Sequence, residues 1–155
     1  MKKKLLNTVF SLSLIFLAGV FSTAGAQTIS GSVGTVKRGA AAKGTIVMNI
    51  PAGLHVNSSR PNSEFAIPTS IKISAAGAKV GAIKYPGGKN RKFGFSEDTL
   101  NVYENRAVFN FNVSVPANFK GNVVKVRAVV RYQACTDEVC YAPKSKEVTL
   151  TAKVS

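Results

Sequence analysis

The sequence predicts an all-β domain, specifically an immunoglobulin-like two-sheet β-sandwich. Three observations predict it. Five stretches alternate apolar and polar residues with period two, the pattern of strands buried on one face. Clusters of proline, glycine, asparagine and serine fall between those stretches and supply turn chemistry. No segment after Val20 sustains a helical apolar period. The sandwich hallmark of a tryptophan packed on an inter-sheet disulfide is missing, because the chain has no tryptophan.

The chain has 155 residues, and its first segment is not read as fold. Lys2, Lys3 and Lys4 precede a mostly apolar run from Leu5 to Val20, and Ala24-Gly25-Ala26 offers a small-residue cleavage site. Residues 1–26 therefore read as a secretory signal peptide, and residues 27–155 as one domain large enough for its own core. No cysteine follows the apolar run, so no lipid anchor is expected. No second run of membrane-spanning length follows, so a soluble exported protein without stable membrane insertion is expected.

The elements follow in order. Thr45–Ile50 places Ile46, Met48 and Ile50 on one face. Pro51-Ala52-Gly53 and Ser59-Arg60-Pro61-Asn62 are turn signals. Ile71 and Ile73 flank Lys72 in a short strand pattern, and Pro86-Gly87-Gly88 is again loop chemistry. Ala107–Val115 sets Ala107, Phe109, Phe111, Val113 and Val115 against Asn110, Asn112 and Ser114. After Pro116-Ala117-Asn118, Val124–Tyr132 sets Val124, Val126, Ala128, Val130 and Tyr132 against Lys125, Arg127 and Arg131. Val148–Val154 closes the set with Val148, Leu150, Ala152 and Val154. The last two runs are expected to pair antiparallel, and the connection between them carries the chain's two cysteines.

The net charge is +14, with Lys2, Lys3 and Lys4 leaving with the leader. The export signal and the absence of an aromatic–basic motif exclude a nucleic-acid partner. A basic surface on an exported protein fits acidic partner proteins or an anionic envelope surface, and simple solubility is the plainer account.

Cys135 and Cys140 stand with four residues between them. A disulfide there closes a very small loop and contributes only about 2 kcal/mol in the chain-entropy model. Spacing leaves two readings open, a local clip and an exchange pair. Asp137 and Glu138 oppose a thiolate, whereas Arg131, Lys144 and Lys146 favour one. His55 is the only histidine and is expected at the surface or in a loop. The C-x₄-C spacing suits zinc poorly and no fourth ligand is evident, so neither metal nor cofactor is expected. No Ser-His-Asp order supports a hydrolase. Lys84–Phe95 is basic and glycine-rich, but it lacks the strand–loop–helix context of a phosphate cradle and reads as a solvated loop ending in Phe93 and Phe95.

Tyr132-Gln133-Ala134-Cys135 and Cys140-Tyr141-Ala142-Pro143 resemble the redox loop of the N-terminal periplasmic domain of the thiol:disulfide interchange protein DsbD. Two further blocks extend the resemblance over Leu54 to Val154. One is Leu54-His55-Val56-Asn57-Ser58 through Phe65-Ala66-Ile67-Pro68-Thr69. The other is Tyr85-Pro86, Lys92-Phe93-Gly94-Phe95 and Val102-Tyr103-Glu104. The resemblance implies a periplasmic domain whose cysteine pair cycles between dithiol and disulfide. It implies a thioredoxin-like domain and a membrane electron transporter as donor, and periplasmic thiol proteins as acceptors. We expect, apart from the resemblance, that Cys135 is the sulfur that partners attack and Cys140 the resolving one. Phe93 matches the family's cap aromatic best, with Phe95 the near alternative. Tyr132 and Tyr141 would line the loop, with His55 and Asn57 in the pocket wall. This chain departs from the best-known member at His55 and Asn57, where that member has aromatics, and in having one residue fewer between the cysteines. It also shows neither the membrane domain nor the thioredoxin-like domain, so its donor would be another polypeptide. The rival expectation is a non-enzymatic secreted sandwich with a structural disulfide, with a metal carrier a weaker third.

Overall fold

The computed structural model describes residues 27–155, so the expected signal peptide at 1–26 lies outside the described residues. Eleven strands run through the chain, and no helix occurs among the described residues. They are β1 Thr28–Val33, β2 Ala41–Asn49, β3 His55–Asn57, β4 Ser70–Ala75, β5 Lys79–Val80 and β6 Lys89–Lys92, then β7 Thr99–Tyr103, β8 Arg106–Ser114, β9 Val123–Tyr132, β10 Ala134–Cys135 and β11 Lys144–Lys153. The first sheet has the order β1-β2-β8-β5, and the second β11-β9-β4. Their inner faces form one core. Ile46, Met48, Phe109, Phe111 and Val113 come from the first sheet, and Val124, Val126, Ala128, Val130 and Leu150 from the second. These are the residues the alternation placed inward, and the expected antiparallel pair is β9 with β11, Tyr132 opposite Lys144. The all-β sandwich is therefore the observed fold class. Gly44 sits where a β-carbon would fall 2.4 Å from the Phe111 ring, so the bare backbone there gives the ring its place.

A third sheet, β10-β3-β7-β6, carries the site. It grows out of the other two. The β2/β8 ribbon bends at Ile50–Leu54 and Glu104–Asn105 and continues as the β3/β7 pair. Gly53 and Asn105 take positive φ values of 76° and 58° at that bend, a conformation open to glycine and asparagine. Strand β9 leaves its own sheet at Gln133 and pairs as β10 with β3, setting Ala134 opposite Val56 and Cys135 opposite His55. Both faces of this small sheet are covered. Val56 and Tyr103 turn into the main core, while Phe93, Leu100 and Val102 form a second cluster with Ala66 against it.

The structure corrects two expectations here. The stretch Lys84–Phe95 is not wholly a solvated loop, because Lys89–Lys92 forms β6 on the edge beside β7. All four of its side chains are exposed, so it shows no alternation, and its hydrogen bonds to β7 make it a strand. His55 is not a surface residue. It is 2% exposed inside β3, because β10 and β7 flank that strand and an aromatic loop lies over it.

Candidate functional site

The cysteines close a tight turn at the end of the β9–β10 run. Cys135 and Cys140 form a disulfide with their α-carbons 4.0 Å apart. Between them, Thr136 N–H donates to the Val139 carbonyl at 2.8 Å. The Thr136 hydroxyl accepts from the amides of Glu138 and Val139 at 3.2 and 3.1 Å. A threonine at the head of the turn satisfies backbone donors that no strand could reach. Tyr141 N–H then returns to the Ala134 carbonyl at 2.9 Å, and β11 begins at Lys144.

The two sulfurs do not share one environment. Cys135 is fully buried as the partner of His55 in the strand register, whereas Cys140 is partly exposed and lines a groove of about 520 Å³. Phe65, Ala66, Phe95, Leu100 and Gln133 line the same groove, together with Glu97 and Asp98. Phe65 is 85% exposed and Phe95, Val139 and Tyr141 are also exposed, so large apolar side chains face solvent in and beside the Cys140 turn. Such a cluster of exposed apolar side chains is a candidate interaction surface. A larger open groove, about 830 Å³, runs between Ser58–Asn62 and Tyr85–Gly88 and contains neither cysteine.

The β6–β7 connection folds over the small sheet. Phe93 stacks on His55 with ring centroids 4.0 Å apart and an interplanar angle of 11°, and Phe95 stacks beside Phe93 at 5.4 Å. Lys92 Nζ donates to the Glu97 carbonyl, and the Ser96 hydroxyl accepts from Asp98 N–H at 3.1 Å, which fixes the loop between them. Phe93 is 5% exposed, so the expectation of an exposed loop aromatic is corrected: it is a buried ring, and Phe95 is the outer one. Tyr132 is likewise buried in the main core rather than lining the cysteine loop, because it lies on the inward face of β9. Tyr141 is exposed beside Cys140.

Sequence reasoning missed Gln133 and Phe65. The Gln133 Oε1 accepts from Asn57 Nδ2 at 3.0 Å and from Ile67 N–H at 3.3 Å, while its Nε2 donates to the Tyr141 carbonyl at 3.2 Å. Asn57 also donates to the Ile67 carbonyl at 3.2 Å. One side-chain amide thus ties the cysteine turn to β3 and to the loop that presents Phe65. Both residues stood within the quoted blocks, and the signal was available there. A glutamine ending an alternating strand needs polar partners, and a phenylalanine among loop residues has no strand face to hide it.

Burial holds the His55 imidazole below its ordinary pKa of 6.5. Asp137 and Glu104 act against that, and Arg91 acts with it. Its Nε2 is buried and has no hydrogen-bond partner. Among the described residues no group of three or more His, Cys, Asp or Glu side chains is placed to hold a metal.

The family described as "Thiol:disulfide interchange protein DsbD, N-terminal" matches residues 31–152, most of the chain. The chain belongs to the DsbD N-terminal family. As a DsbD N-terminal domain it carries the fold expected of the family, and membership supports a role in thiol–disulfide exchange. The N-terminal periplasmic domain of ScsB from Proteus mirabilis aligns over 80% of this chain and 45% of its own length, at 12% identity and a TM-score of 0.55. The present chain therefore spans less than half of that structure. The Neisseria meningitidis complex between the DsbD N-terminal and PilB N-terminal domains aligns over 78% of this chain and 80% of the matched chain, at 18% identity and a TM-score of 0.48. A search of curated protein sequences finds no match.

Proposed function

We propose that this DsbD N-terminal domain is a periplasmic electron relay in which the Cys135–Cys140 pair cycles between disulfide and dithiol. It takes electrons from a thioredoxin-like donor domain served by a membrane transporter and passes them to exported thiol proteins. One observation carries the reading: the pair is divided into a buried Cys135 and an accessible Cys140 set in an apolar groove. Exchange needs one sulfur that an incoming thiolate can reach in line with the S–S bond, and a second that leaves. A clip that only held a turn would gain nothing from an exposed apolar collar around one sulfur.

This reading takes the two sulfurs in the opposite order to the sequence expectation, and the burial of Cys135 supports it. Cys140 is the sulfur that partners attack and bond, and Cys135 leaves and later resolves. Phe65, Phe95 and Tyr141 form the docking collar in this reading. The signal peptide is cleaved near Gln27, placing residues 27–155 in the periplasm.

The test is trapping. Cys135→Ala leaves Cys140 unable to be resolved, so mixed disulfides with periplasmic proteins accumulate on it. Cys140→Ala leaves only the buried thiol and accumulates far fewer. Equal trapping in the two variants overturns the assignment. A reduction potential below about −300 mV, rather than near the thioredoxin value of about −270 mV, overturns the exchange reading and leaves a structural disulfide in a binding module.

A further inference from the structure

We propose that His55 is the proton acceptor for Cys135, so that the buried thiol ionises when the pair reduces a partner. The inference rests on the exchange reading above and adds a residue that shuttles the proton.

His55 stands directly opposite Cys135 in the antiparallel register, which places the two side chains on the same face of the small sheet as near neighbours. The imidazole is fixed under Phe93, and its Nε2 is buried without a partner. A buried nitrogen with no partner carries an unoffset desolvation cost and calls for an explanation. His55 also lines a cavity of about 290 Å³ together with Arg91, Glu104 and Asp137. The imidazole is therefore a cross-strand neighbour of the buried sulfur and borders a polar opening.

The chemistry supplies the need. When Cys140 is held in a mixed disulfide with an oxidised partner, Cys135 must attack its sulfur. A thiol in apolar surroundings is a poor nucleophile because burial raises its pKa. His55, neutral at the start, takes the proton from the Cys135 thiol. The Cys135 thiolate forms the S–S bond to Cys140, the bond from Cys140 to the partner breaks, and the electron pair leaves on the partner's sulfur. The partner is reduced and the Cys135–Cys140 disulfide is restored. In the reverse direction, a dithiol partner attacks Cys140 and the proton returns to the departing Cys135.

The groups facing His55 fit this duty. Asp137 from the cysteine turn and Glu104 from the end of β7 favour the imidazolium, while Arg91 on β6 opposes it. Arg91 and Lys89 both pair with Glu104, at 3.6 and 3.7 Å. Burial keeps the imidazole neutral and ready to accept, and the two carboxylates stabilise the charge once the proton arrives.

The experiment uses the chain with Cys140→Ala, where Cys135 is the only thiol, and follows thiolate absorbance against pH. His55→Phe keeps a ring under Phe93 without a titrating nitrogen, and His55→Gln keeps a polar group. In either background the Cys135 midpoint rises by about one unit or more, a tenfold loss of thiolate at neutral pH. An unchanged midpoint in a folded variant overturns the inference. A second readout needs no His55 variant. His55 is the sole histidine, so its proton resonance is unambiguous. Its titration midpoint in the reduced chain differs from that in Cys135→Ala, and identical midpoints overturn the inference. Failure of the exchange reading looks different: the wild-type pair is then not oxidised or reduced by dithiol and disulfide proteins at all.

Discussion

At the scale of single residues, burial decides what each site side chain does. Phe93 lies in the small cluster with Leu100 and Val102 and covers His55, so it is structural and a cover at once. Phe93→Ala is expected to lower stability by about 3 kcal/mol, the range of a core phenylalanine truncation, and to speed reduction of the disulfide by dithiothreitol. Phe95→Ala, at a half-exposed ring, should also speed reduction but shift the urea midpoint far less. Phe111→Ala, in the main core, should cost about 3–5 kcal/mol and leave the reduction rate of the folded protein alone. Equal reduction rates for wild type, Phe93→Ala and Phe95→Ala would remove the cap role from both rings. His55 adds a pH term with a definite sign. Its folded pKa lies below its unfolded value of 6.5, so the unfolded chain binds more protons just below that pH. Stability therefore falls as pH drops from about 6.5 toward the folded pKa. Urea midpoints at pH 7.5 and pH 5 should differ more in the native chain than in His55→Gln. A difference of the same size in both would remove His55 as the source.

At the scale of elements, the site depends on one strand changing sheets. Strand β9 serves the main core up to Tyr132, Gln133 turns it, and β10 presents Cys135 to β3. Gln133→Ala removes the acceptor for Asn57 and Ile67 and the donor to Tyr141. Leaving those part-buried groups unpaired should cost about 1–3 kcal/mol. Hydrogen exchange at Ile67 and around the cysteine turn should rise while that of β8 and the centre of β9 stays slow. Uniformly faster exchange would mean that Gln133 supports the whole fold instead. The elements also show what was legible beforehand. Strands β2, β4, β8, β9 and β11 were readable because each has one buried face, so polarity alternates along them. Strand β3 was not readable, because His55, Val56 and Asn57 are all buried, His55 under Phe93, Val56 in the core and Asn57 against Gln133 and Ile67. Strand β6 was hidden for the opposite reason, four exposed polar residues in a row. The cysteine loop was legible as a motif, but which sulfur is accessible was not. That difference arises from the pairing of β10 with β3, a contact about 80 residues apart that spacing does not encode.

At the scale of the whole molecule, the fold and the cysteine pair are separable. The main core unites residues from Val36 to Val154, mostly on the two facing sheets, without either cysteine. The disulfide closes a turn of sequence separation 5, so its effect on the unfolded chain is small, about 2 kcal/mol in the entropy model. Loss of the buried Cys135 sulfur adds a modest cavity cost in the small third sheet. A fold held by such a core does not depend on the disulfide, which the proposed relay requires and a disulfide-dependent scaffold forbids. The Cys135→Ala/Cys140→Ala protein is therefore expected to unfold in one cooperative transition, with the β-rich circular dichroism of the native chain and a lowered urea midpoint. The reduced native protein should unfold similarly, at a midpoint between the oxidised protein and the double variant. If the double variant is unfolded at room temperature, the pair is a structural staple, and the division of labour between core and site fails with it.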